Sequence, residues 1–243
     1  MVLHWGKTQS LPINSTDQVK QPDGTLMHEV TSLQYLGAVM DGHGRSDSEV
    51  SRKLGTAKGD FRVLSKVWRH ANVPLKQKLH YFESLIISRL LYGLSSMWMV
   101  TAQLRRIDGF YARCLRTILR IPPSYYSRVS NATVFTRAAV RPLSEQLLQK
   151  QFALLGKVAR SPDHSLLRQD TFIPGTLQPQ IGRYVRKRGR PRQDWTTELL
   201  KRGCSKFGAE RFHTMLSDTS VGAQGKWKRE IAKQFPAAVP QRS

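Results

Sequence analysis

Asp47-Ser48-Glu49-Val50-Ser51-Arg52-Lys53-Leu54-Gly55-Thr56-Ala57-Lys58-Gly59-Asp60-Phe61-Arg62-Val63-Leu64-Ser65-Lys66-Val67-Trp68-Arg69-His70-Ala71 decides the fold class. Within it Val50, Leu54, Ala57, Phe61, Leu64, Trp68 and Ala71 step by three or four, the period that gathers side chains on one helical face. Ser46 or Asp47 can cap the helix start, and Pro74 is expected to end it. The same period returns at Leu75, Leu79, Phe82, Ile86, Leu90, Gly93 and Met97, where Gly93 would admit a close neighbouring helix. It returns again from Thr101, with Leu104, Ile107, Tyr111, Leu115 and Ile118 inward, until Pro122-Pro123. A fourth helix is expected over 142–160, with Leu143, Leu147, Lys150 or Gln151, Leu154 and Val158 in step. Consecutive amphipathic helices joined by short breaks predict a bundle, so the expected class is mainly α.

The flanks read differently. Residues 1–45 hold two strand-like runs, 10–13 and 25–30, separated by Pro22-Asp23-Gly24, in which proline presets φ and glycine accepts a positive one. A small β hairpin unit ending at Tyr35-Leu36-Gly37 is expected there. Residues 46–160 form the bundle, and 161–192, with four prolines and little periodicity, read as a basic, partly extended linker. A small helical segment is expected over 193–243, with one helix over 194–206 and short helices around Phe212 and Trp227.

A chain of 243 residues with 40% hydrophobic content can bury one substantial core or two modest ones, but its formal net charge of +22 is far from ordinary. Such an excess repels itself unless a polyanion neutralises it, which makes DNA or RNA the leading expected partner. An acidic protein or an anionic membrane is the remaining option. No apolar run reaches the roughly 18 residues that span a bilayer, since 85–98 is broken by Arg89 and serines. The N-terminal residues lack the pattern of a secretory signal, so a nuclear or cytoplasmic location is expected. Cys114 and Cys204 stand far apart, as in a reducing compartment, and supply no cysteine-based zinc site.

The basic residues fall in stripes. Lys58, Arg62, Lys66 and Arg69 recur along one helix, and Arg106, Arg113, Arg116 and Arg120 along another. Each stripe is either a solvated face or a surface that tracks a phosphate backbone; the scarcity of interspersed acids favours the second. Arg186, Lys187, Arg188, Arg190 and Arg192 form the densest basic run, whose Arg-Gly-Arg-Pro core matches an AT-hook arm for the minor groove. A nuclear localisation signal or a tether explains the same residues. The seven histidines show no metal-ligand spacing, and no Gly-x-Ser-x-Gly elbow or phosphate-cradling glycine loop is present.

In order, Gly6-Lys7-Thr8, Tyr35-Leu36-Gly37, Arg89-Leu90-Leu91-Tyr92-Gly93 with Trp98, Arg113-Cys114-Leu115-Arg116 and Gly189-Arg190-Pro191-Arg192 followed by Trp195 resemble the end of a LINE-type (non-LTR) retrotransposon reverse transcriptase. His4-Trp5-Gly6 stands where that family often has asparagine and proline, and Ser95 where it often has glutamate. The resemblance implies an RNA-directed DNA polymerase whose palm edge, helical thumb and basic tail are represented here. By that resemblance Lys7 would be a general acid assisting pyrophosphate departure in an intact enzyme. Tyr35, Leu36 and Gly37 would grip the primer, and the helices would hold template and primer. The family's palm aspartates, which would precede residue 1, hold two Mg²⁺ ions. Two-metal catalysis needs carboxylates that place the ions about 3.5–4 Å apart. This chain alone is therefore expected to bind no cofactor and not to polymerise.

Overall fold

The period read from 47–71 becomes helix α1, Asp47–His70, in the computed structural model, which describes residues 4–13, 18–35, 37–42, 46–70, 72–181 and 193–236. Val50, Leu54, Ala57 and Trp68 are buried along one side, with Phe61 and Leu64 packed beside them; Ala71 lies outside the described residues. Ser46 and Asp47 do not cap α1 with their side chains. Ser46 Oγ donates to the carbonyl of Trp98, and Asp47 accepts from Gln103 Nε2 at 2.5 Å. They tie the start of α1 to a later helix instead.

The second predicted helix is a rod with a fault. Helix α2, Leu75–Phe82, passes through a π-helical turn, Glu83–Ile87, into α3, Ser88–Leu91. The wider turn lets neighbouring Ile86 and Ile87 both face inward, each 2% exposed. Pro74 stands at the start of α2 rather than terminating α1, which has already ended at His70. Gly93 admits no neighbouring helix: a Cβ there would meet nothing within 4 Å, and its φ of +73° stops the rod just after α3.

Helix α4, Thr101–Ile118, runs inward at Ile107, Tyr111, Leu115 and Ile118 as predicted. Short helices α5, Ser124–Ser127, and α6, Asn131–Arg137, lead to α7, Leu143–Ala159, whose first turn is capped by Asp108 accepting from the Ser144 amide at 2.9 Å. An aromatic series runs through this bundle from Phe61 to Phe82, Tyr111 and Phe135, with successive centroids 5.4, 5.7 and 5.7 Å apart. Each fully buried large apolar side chain contributes roughly 1.5–3 kcal/mol.

Two cores meet along α7. Leu143 and Leu147 close the first, whereas Phe152, Leu155 and Val158 belong to a second. The second core also takes Phe172, Leu199, Phe212, Trp227 and Ile231. The predicted linker is therefore partly built structure. Helix α8, Leu166–Thr171, is followed by fully buried Phe172 and by a bridge from Phe172 to Pro179. Helices α9, Trp195–Phe207, α10, Ala209–Ser217, and α11, Ala223–Gln234, match the expected C-terminal segment, and the Asp194 side chain caps α9 through the Thr197 amide at 3.0 Å. Bare glycines allow the close packing: a Cβ on Gly156 would lie 2.1 Å from Trp227 Nε1, and one on Gly203 2.1 Å from the Phe212 ring.

The β region is small and differs in detail from its prediction. Strands β1, Gln9–Ser10, and β2, His28–Glu29, pair in parallel. The Pro22-Asp23-Gly24 turn joins Lys20 to Leu26 instead of joining those two runs. The hairpin proper is β3, Ser32–Tyr35, against β4, Ala38–Asp41, antiparallel. Tyr35 and Gly37 thus sit at the hairpin's turn, not at the end of the β unit, and Gly37 supplies the positive φ of +79° that the reversal needs. The chain is mainly α, with a small N-terminal β region followed by a helical bundle.

Candidate nucleic-acid interface

Lys58, Arg62 and Lys66 emerge from α1 roughly 80–160° around the helix from the centre of its buried side, each step of four advancing about 40° around the axis. All three are exposed, and none makes an ion pair or hydrogen bond with another described side chain. Successive charges rise about 6 Å along the axis. Arg69 falls in the last turn of α1, and its side chain lies outside the described part. Gly55 and Gly59 lie near the stripe, where a Cβ would meet nothing within 4 Å.

Helix α4 adds a second row. Gln103 bonds Asp47, and Arg106 Nη2 donates to Ser51 Oγ at 2.9 Å, so the two helices advance in the same direction at this end. Arg106, Arg113 and Arg120 are exposed on α4 and just beyond its end. Arg116 is not part of that surface. At 7% exposure it points inward and donates to the carbonyls of Pro122 at 3.3 Å and Val129 at 2.6 Å, and to Asn131 Oδ1 at 3.1 Å. A buried guanidinium requires such acceptors. The one-face reading therefore fails at Arg116, whose position about 60° from Arg113 around the axis turns it under the following loop. Cys114, beside it, is a core thiol, pushed up to about 12 by burial.

Where the hairpin meets the bundle, a buried joint forms. Glu49 is fully buried and accepts from the Val39 amide and from Arg52 Nε, both at 2.9 Å, while Arg52 Nη2 reaches the Gly37 carbonyl at 2.6 Å. Burial opposes the charge on Glu49, but the Arg52 and Val39 hydrogen bonds, with the Arg52 and Lys53 charges, outweigh it and hold the carboxyl below its ordinary range. Lys53 lies 3.5 Å from Glu49, donates to the Arg89 carbonyl at 3.3 Å and stands over the Tyr92 ring; burial pulls its ammonium below the usual lysine range despite Glu49. A cavity of about 180 Å³ opens here, lined by Gly37, Arg52, Lys53, Asp60, Arg89 and Tyr92 among others. Gly37 from the hairpin turn and Arg89, Leu90 and Tyr92, far apart in the chain, thus line one cleft. Glu49, Arg52 and Lys53 carry the joint, and their only sequence signal is the Glu-to-Lys spacing of four, which ordinarily marks an exposed pair.

Lys7 closes a single 3-10 turn, Trp5–Lys7, and its side chain lies outside the described part. Leu36 is outside the described residues, as are Arg186, Lys187, Arg188, Arg190 and Arg192. Beyond that arm, Trp195 Nε1 donates to the Ser95 carbonyl at 3.0 Å and Arg202 covers the Trp98 ring at 4.6 Å, which seats α9 on the end of the bundle. Among the described residues no three His, Cys, Asp or Glu side chains converge as a metal site. No helix among the described residues is long and apolar enough to cross a membrane. No family model, curated protein or solved structure matches the chain.

Proposed function

We propose that this chain holds nucleic acid by its phosphate backbone, as the thumb and palm edge of a LINE-type (non-LTR) retrotransposon reverse transcriptase. The observation that carries the proposal is the unpaired basic row Lys58, Arg62 and Lys66 on α1, with Arg106 of the neighbouring α4 bonded to Ser51 of α1 and Arg113 and Arg120 exposed further along α4. Cations kept free of acids on adjacent helices attract a polyanion and release its counterions on binding. Contacts of this kind position a duplex without reading its sequence, as a polymerase thumb must. The convergence of Gly37 with Arg89, Leu90 and Tyr92 on one cleft supports the family reading, since the resemblance assigns the blocks that hold them to primer and template contacts.

A second reading, an independent basic helical module for DNA or RNA, is favoured by the closed cores, in which Leu90, Leu94, Ile107 and Leu115 are at most 2% exposed without residues from elsewhere. Crosslinking separates the two. An RNA template annealed to a DNA primer with a photoreactive 3′-terminal nucleotide should crosslink at the β3–β4 hairpin if the chain is a thumb with its primer grip. Crosslinks spread evenly along the duplex, with no preference for the primer end, would favour the independent module. Negligible affinity for the primed template at low salt would overturn both.

A further inference from the structure

We propose that Tyr125 and Tyr126 form a stacking platform for the bases of a single-stranded nucleic-acid segment, a site that adds base stacking at the end of the α4 basic row and is separate from the row on α1. The two residues are each 74% exposed, and their rings lie 4.3 Å apart at 39°. Neither hydroxyl bonds a described residue, so nothing in the fold accounts for the rings. The inference rests on the reading of this chain as a nucleic-acid binder, but on separate observations.

The loop that carries the rings is held firmly. Pro122-Pro123 stops α4 from continuing, and α5 follows as one short turn. Buried Arg116 pins both ends of the loop through the carbonyls of Pro122 and Val129. Arg120 and Arg128 flank it at φ of +57° and +52°, left-handed conformations that a non-glycine residue adopts only when its surroundings impose them. Two large rings are thus presented to solvent on a fixed frame, which reduces the ordering that binding requires.

The charge around them selects the ligand. Between residues 109 and 144 the chain has six arginines and no Asp or Glu. Of these, Arg113, Arg120 and Arg128 are exposed and free of ion pairs among the described residues. Aromatic faces beside unpaired arginines match the two surfaces of a single strand, its bases and its phosphates. A paired duplex offers only the second. A lipid surface would ask for an apolar wedge around the rings, and their neighbours in α5 are Ser124 and Ser127.

The test uses the full chain with oligo-dT and with an abasic strand of the same length, followed by fluorescence anisotropy at one ionic strength. Each stacked base should favour oligo-dT by about 5- to 150-fold. Tyr125→Ala with Tyr126→Ala should remove that preference and leave abasic affinity unchanged, which also verifies folding. Tyr125→Phe with Tyr126→Phe should retain it. Equal affinity of the unaltered protein for both strands, or a preference that survives the alanines, would overturn the platform while leaving backbone binding intact. Anionic phosphatidylserine vesicles that lose binding with the alanines while the oligo-dT preference persists would assign the rings to a membrane instead. Failure of both strands to bind at low salt would remove the backbone reading as well.

Discussion

In the C-terminal core Arg160 donates to the carbonyls of Gly156, Met215 and Asp218 and stacks on Trp227, while on the N-terminal bundle Arg62, Arg113 and Arg120 give no side-chain hydrogen bond to any described residue. Elsewhere in the C-terminal part Arg168 pairs with Asp163, Arg211 with Glu230 and Lys226 with Asp218. The two halves have similar helices and similar basic content, and both use some cations internally, as with Arg160 in one and Arg52, Lys53 and Arg116 in the other, but the row Lys58, Arg62 and Lys66 stands open on the N-terminal bundle. Charge count alone does not locate an interface. The partners of each cation do.

The comparison breaks most visibly at the C-terminal core. Trp227→Ala removes a fully buried indole and its hydrogen bond to the Phe152 carbonyl, and should cost about 3–5 kcal/mol in denaturant unfolding. Gly156→Ala drives a methyl into the same ring and should cost about 1–3 kcal/mol or more by the same measurement. In the first core Leu90→Ala should cost about 2–5 kcal/mol, and should unfold the bundle rather than weaken binding selectively. Arg116→Met tests the border between the halves' habits. By stranding its acceptors it should cost about 1–3 kcal/mol, with the salt dependence of nucleic-acid binding unchanged.

A subtler effect lies at the hairpin joint. The Glu49 carboxyl titrates below its ordinary value of 4.5, so its contribution to docking is present above that pH and fades as pH falls through the lowered value. Protection of the Val39 amide against hydrogen exchange, corrected for the intrinsic pH dependence, should therefore hold at neutral pH and decline in acid below pH 4.5. Glu49→Gln should flatten that decline.

The helical bundle was legible because its signal is local: a face of Val50, Leu54, Ala57 and Trp68 must be buried somewhere, whatever covers it. The π-helical turn at 83–87 was not, since it leaves the apolar period nearly intact and shows itself only in which isoleucines face inward. The built stretch around Phe172 was hidden by prolines that suggested a linker, although a single large ring among them was available as an anchor. Among the site residues, spacing placed Lys58, Arg62 and Lys66 together on α1 but could not tell Arg116 from Arg113. That distinction depends on acceptors at 122, 129 and 131, contributed by a loop whose path no helical period describes. Glu49 and Lys53 were equally opaque, because burial turns an ordinary surface pair into a joint.

The central claim is that the open row on α1 contacts phosphates, and a salt titration of binding to a primed template tests it directly. Replacing Lys58, Arg62 and Lys66 together by Gln should leave stability within about 0.5 kcal/mol, since all three are exposed and unpaired. The slope of log K against log[salt] should become shallower by roughly 2–3. An unchanged slope in a folded variant would return the row to an ordinary solvated face and contradict the account.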